Sequence, residues 1–187
     1  MALTTAQLQL LKTAINADGA LAAQPLDGDG LGVVRDALNA LAVPDFIVWL
    51  ENVLVENIFD AITWVNYTPT DAADSTVIYS NRLLLIQTKQ MNLQNILVGR
   101  NTIDARKSTL RAGLRDAVIQ LPAGAGGAFV SAGGASAATV LAVCTGKGTR
   151  AEKILTLGPQ TTGTTTADIR GFAGNLTSND IDQARHS

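Results

Sequence analysis

The sequence predicts an all-α protein, with a helical body of about five to six helices and an extended C-terminal arm. Three observations point there. Apolar residues recur at helical spacing through most of residues 1–157. Strand-like alternation is almost absent. From Gly158-Pro159 onward the chain turns rich in Gly and Thr, with too few apolar side chains for a core of its own. The expected division is therefore a body over 1–157 and an arm over 158–187.

The elements follow in order. Thr4 three residues before Gln7 reads as a capping box. Leu8, Leu11 and Ile15 then carry a first helix, and Asp18-Gly19 stops it. Asp27-Gly28-Asp29-Gly30 is a turn cluster. Val33, Val34, Ala37, Leu38 and Leu41 mark a second helix, ended before Pro44. Phe46 to Leu50 has strand composition, but Val53-Leu54-Val55 and Ile58-Phe59 follow closely and favour two short helical pieces. Trp64 to Pro69 reads as a loop with buried aromatic anchors. Ser75 to about Val98 is a long helix, apolar on more than one side and so expected at the centre of the core. Ala105 to Leu121 is another, with basic residues on its outer face. Pro122 and the Gly124 to Gly127 run break it, and Ser131 to Gly134 is a second joint. Ala135 to Leu157 is the last helix, weakened by Gly146 and Gly148.

Composition narrows the function. The apolar fraction of 47% comes from Ala, Leu, Val and Ile, while aromatics are only 4%. That balance favours packed helices over an aromatic-lined ligand cleft. No apolar run approaches the roughly 18 to 20 residues of a membrane span, so no membrane partner is expected. Met1 to Gln7 has no secretory pattern, which places folding in a reducing cytoplasm. Cys144, the single cysteine, lies in an apolar helical context and reads as a buried, inert thiol.

The net charge of −2 is unevenly spread along the chain. Residues 1–99 hold four Lys/Arg against ten Asp/Glu, and residues 100–187 hold ten against six. The basic excess gathers at Arg100, Arg106, Lys107, Arg111, Arg115, Lys147, Arg150 and Lys153. It is either a set of solvated helix faces or a surface for head-to-tail contacts, nucleic acid or an acidic partner. Sequence-specific readout of nucleic acid is disfavoured, because aromatics are not interleaved with the cations.

Motifs for chemistry fail one by one. Asp27 to Gly30 opens like a calcium loop, but Leu38 stands where the closing acidic residue belongs. Gly146-Lys147-Gly148-Thr149 has the wrong order and a helical context for a phosphate loop. His186, the lone histidine, sits one residue from the end and supports neither a metal cluster nor a triad. Asp60, Asp71, Asp74 and Asp104 are scattered, with nothing pairing two for acid–base work. No catalytic residue, metal ligand or cofactor site is assigned, and an enzyme is not expected.

The order of short segments carries a resemblance. These include Leu3-Thr4-Thr5-Ala6-Gln7-Leu8, Leu21-Ala22-Ala23-Gln24-Pro25 and Val43-Pro44-Asp45-Phe46-Ile47-Val48-Trp49. Lys147-Gly148-Thr149-Arg150-Ala151-Glu152-Lys153 and Phe172-Ala173-Gly174-Asn175-Leu176 complete the set. In that order the chain resembles a family of small helical virion proteins of tailed bacteriophages and prophages. Leu50 departs from the Arg usual after the Trp in that family. Size, helicity and a C-terminal arm resemble head–tail connector (adaptor) proteins. The resemblance implies a structural subunit of a homo-oligomeric, twelve-fold ring below the portal, at the head–tail junction of the virion. Another virion component, a tail-completion, terminator or head-decoration protein, is the alternative. Implied partners are further copies of the chain, portal and tail proteins, and packaged double-stranded DNA without sequence preference. In that setting Phe172, Leu176 and Ile181 would anchor the arm on a neighbour. Arg106, Arg111, Arg115 and Arg150 would face DNA, the ring lumen or an interface.

Overall fold

The computed structural model describes residues 2–67, 79–118, 135–158 and 164–187. They form two compact units. Unit 1 joins Met1–Trp49 to Gly146–Ser187, and unit 2 is the continuous stretch Leu50–Thr145. The chain is mostly helical, but the all-α expectation is overturned. Beside nine α-helices, the described residues hold five short strands in two sheets.

In unit 1, α1 (Thr5–Ala17) starts on the expected capping box between Thr4 and Gln7 and buries Leu11, Ala14 and Ile15. Asp18 ends it and caps α2 (Gly19–Ala22), accepting from the N–H groups of Ala20 and Leu21. Asp27 accepts from the N–H of Gly30 at 2.8 Å and opens α3 (Gly28–Asn39), so the Asp-Gly cluster is a turn and a helix start.

Phe46–Trp49 is a strand, β1, where short helical pieces were expected. Phe46 and Val48 are buried and their neighbours half-buried, the period-two signature of a pleated strand. It is the middle strand of the order β4-β1-β5, between β4 (Thr145–Lys147) and the parallel β5 (Thr164–Asp168). The register sets Phe46 opposite Thr164 and Val48 opposite Asp168, with an irregularity between.

The single helix expected over Ala135 to Leu157 is instead α7 (Ala135–Ala142), then β4, then α8 (Arg150–Leu157). Gly148 explains part of the break. Its N–H donates to the Phe46 carbonyl at 2.8 Å, and a Cβ there would lie 2.7 Å from the Phe46 ring. Thr149 and Glu152 form a second capping box that restarts the helix, and Gly158, at φ +80°, ends it.

The C-terminal residues are not an extended arm. Beyond β5, Thr177 and Asp180 cap a ninth helix, α9 (Ser178–His186). Leu176, Ile181 and Ala184 enter one core with Leu11, Ile15, Val34, Leu38 and Ile154, and Phe172 packs against it. The few apolar residues of this segment suffice because α1, α2, α3 and α8 supply the rest of the core. The Asn39 side chain accepts from the Leu176 N–H at 2.8 Å and donates to its carbonyl at 2.9 Å. The Gly171 N–H donates to Thr156 Oγ1 at 2.8 Å, where a Cβ would come within 2.7 Å of the Leu155 carbonyl.

In unit 2, β2 (Val53–Leu54) pairs antiparallel with β3 (Thr102–Ile103). Helix α4 (Val55–Asp60) and a 3₁₀ turn (Trp64–Tyr67) follow β2. Of the expected aromatic anchors, Tyr67 is buried and donates to the Ala117 carbonyl at 2.7 Å, while Trp64 stacks on Phe59 in the open. Helix α5 (Tyr79–Leu97) packs on α6 (Ser108–Val118), and a Cβ at Gly113 would lie 3.1 Å from Ile96. It buries Ile86, Leu93 and Leu97 but is not enclosed by the core, because Leu84, Met91 and Val98 face solvent. The expected helix start at Ser75 lies outside the described residues, as do Pro69, Leu121, Pro122, the joints at 124–127 and 131–134, and Pro159.

Candidate functional site

An open groove of about 640 Å³ lies in unit 1. Small residues of α1 and α3 line it, among them Ala14, Ala17 and Ala37. Leu41 and Val43 border it on one side, Arg150 and Lys153 of α8 on another. The segment after α3 is pinned beside the start of α8: the Arg150 N–H donates to the Ala40 carbonyl at 2.8 Å and the Ala42 N–H to the Gly148 carbonyl at 3.1 Å. That pinning leaves Leu41 59% and Val43 91% exposed.

Two cations meet this apolar rim in different ways. Arg150 donates to Asp18 Oδ2 at 2.7 Å. That hydrogen bond holds the Asp18 carboxyl below the ordinary carboxylate range. Partial desolvation opposes it, and the Leu21 and Ala20 N–H groups add to it. Lys153 is only 4% exposed, and its ammonium donates to the Pro44 carbonyl at 3.1 Å. The groove combines an apolar rim, a small-residue floor and fixed charges. It presents a docking shape, and none of its lining residues is a nucleophile poised beside a base.

Cys144 lies in unit 2. The Cys144 thiol donates to the Val140 carbonyl, and burial pushes its pKa up to about 11 against the weak pull of Arg111. Such a thiol is unreactive at neutral pH. Among the described residues no group of three or more His, Cys, Asp or Glu side chains could hold a metal ion. No described helix is long and apolar enough to cross a membrane.

The arginines singled out from the sequence divide between the two units. Arg106 grips Asp104 through two bonds of 2.9 and 3.1 Å and reaches Glu51 at 2.8 Å. That grip lowers the Asp104 carboxyl pKa. Arg111 donates to the carbonyls of Ala105 and Arg106 at 2.6 and 2.7 Å. Arg115 is exposed in the last turn of α6, where its charge suits the helix dipole. These three belong to unit 2, whereas Arg150 belongs to unit 1 and holds Asp18. Leu176 and Ile181 are in the core of unit 1 and Phe172 flanks it. Of the scattered carboxylates, Asp104 is paired and Asp60 exposed, while Asp71 and Asp74 lie outside the described residues.

The charge asymmetry along the sequence also dissolves. Unit 1, drawn from both chain ends, carries seven Lys/Arg against nine Asp/Glu, and unit 2 carries seven against seven. Leu41 and Val43 were not marked out as a site by the sequence, since nothing local tells an exposed valine from a core one. No protein-family model, curated protein or solved structure matches the chain.

Proposed function

We propose that this chain is a structural subunit of a tailed-bacteriophage virion, placed at the head–tail junction in an adaptor ring below the portal. The observation that supports this reading is the open groove of unit 1, with a small-residue floor and two exposed aliphatic side chains on its rim. A cyclic ring needs one surface of each subunit to receive a different surface of the next. The resemblance of the segment order to phage virion proteins supplies the setting. Arg100, Lys107 and Arg115 are the exposed members of the basic set in unit 2, and non-specific phosphate contact would fall to them.

Purified particles test the proposal. The chain should copurify with them and form a twelve-fold ring at the vertex between capsid and tail under the electron microscope. Val43→Asp should leave the isolated chain folded and reduce its incorporation. Absence from particles would overturn the virion reading, and a six-fold ring at the tail end would replace the adaptor by a tail terminator.

A further inference from the structure

Helix α5 leaves one side uncovered, and that side has an unusual composition. Its exposed positions from Leu84 onward are Leu84, Gln87, Thr88, Met91, Gln94, Asn95 and Val98. At 100° per residue they fall within about 120° of arc, one continuous stripe. The Val98 N–H donates to the Gln94 carbonyl at 2.8 Å, so the helical course reaches the last of them. None of the seven is charged. A solvent-facing helix surface ordinarily carries Lys, Glu, Arg or Asp. The charged side chain described on this helix, Lys89, points the other way, buried against Asp116 with a 3.0 Å bond.

The apolar members are spaced by seven. Leu84, Met91 and Val98 are 64%, 56% and 69% exposed. A seven-residue repeat keeps a seam facing a partner helix, with a drift of only about 20° per heptad. Charge depletion and methionine enrichment mark the centres of protein interfaces.

The pattern also identifies the occupant, because it reads the same in both directions about Met91. Against an antiparallel copy centred there, Leu84 meets Val98, Gln87 meets Asn95, Thr88 meets Gln94 and Met91 meets itself. Every apolar position faces an apolar one. Every polar position faces an amide or hydroxyl that both donates and accepts. A charged partner face would lose hydration opposite this stripe and gain no counter-ion, whereas a second copy brings no charge to desolvate.

We infer that the outer face of α5 is a two-fold contact between copies of this chain, with the helices antiparallel and Met91 on the axis. Such a contact closes on itself and cannot propagate a ring. It is therefore additional to the contacts proposed for assembly, and it holds for the isolated protein whether or not the chain is a virion component.

Sedimentation equilibrium of the full chain, with three variants, tests this. The wild type should be dimeric. Met91→Asp, which sets two carboxylates on the axis, should weaken the dimer at least about 100-fold while leaving the helical circular dichroism unchanged. Under mild oxidation Met91→Cys should cross-link readily. Leu84→Cys should not, because antiparallel pairing holds its two copies about 20 Å apart. A wild type that is monomeric through the micromolar range overturns the inference. So does a dimer indifferent to Met91→Asp, or cross-linking of Leu84→Cys as fast as Met91→Cys. Should Met91→Asp lose its helical signal, the two cysteine variants decide alone.

Discussion

The core of unit 1 is made by opposite ends of the chain. Leu11 and Ile15 from α1 meet Leu176, Ile181 and Ala184 from the last twelve residues. In unit 2 the close contact is between neighbours in sequence, with α6 folding back on α5 where Gly113 meets Ile96. The difference shows where each unit is vulnerable. Unit 1 depends on residues that look dispensable, whereas unit 2 depends on helices whose apolar repeats are visible in place.

The largest expected effect comes from removing residues 164–187. Unit 1 should lose its stable fold, seen as lost hydrogen-exchange protection in α1 and α3. Protection that persists in those helices would mean that unit 1 stands without its C-terminal part, and the contrast between the units would collapse. Single truncations come next. Ile181→Ala should cost about 2–5 kcal/mol by denaturant unfolding, and Leu114→Ala in unit 2 a similar amount, since both side chains are fully buried. A loss under about 1 kcal/mol at Ile181 would show α9 loosely held.

Gly148→Ala is expected to cost about 1–3 kcal/mol, because its Cβ would press on the Phe46 ring and the Glu152 carboxylate. Thr149→Ala, which loses the α8 capping box, should cost about 1 kcal/mol. The smallest effect belongs to Asp18→Asn. The Asp18 carboxyl titrates lower folded than unfolded, so its contribution is present at neutral pH and is lost as pH falls below about 4. The pair with Arg150 is partly exposed, which limits the change to under about 1 kcal/mol. Thermal melts of wild type and variant should differ at pH 7 and draw together as the pH falls below about 4.

What could be read from the sequence was local. Thr4 with Gln7, and Asp27 ahead of α3, announced helix starts because a cap and its partner lie three residues apart. The apolar repeats of α5 and α6 were equally plain. The strand at Phe46–Trp49 was hidden by its brevity, since four residues show two turns of alternation at most. The break at Gly146 and Gly148 looked like a weak helix, because the Phe46 ring that fills the space above Gly148 lies about a hundred residues earlier in the chain. The C-terminal segment misled for the same reason. A sparse apolar content means an arm only when no other part of the chain offers a groove, and composition does not report grooves. At the site, Arg150 stood out as a cation, but its partner Asp18 is 132 residues away. Apolar character on two sides of α5 was correctly legible. It placed the helix in the core because a sequence does not say whether the second side is covered by the same chain or left for another.

The split construction of unit 1 has a consequence for synthesis. Unit 2 is continuous and leaves the ribosome before α8 and α9 do. Until the final helix emerges, the nascent chain carries Leu11, Ile15, Val34 and Leu38 with no α9 to close over them. Its two halves therefore mature on different clocks, and the N-terminal helices, made first, are the last to find shelter. A chain stalled before α9 would display those side chains to chaperones, so that helix acts as a completeness check on unit 1.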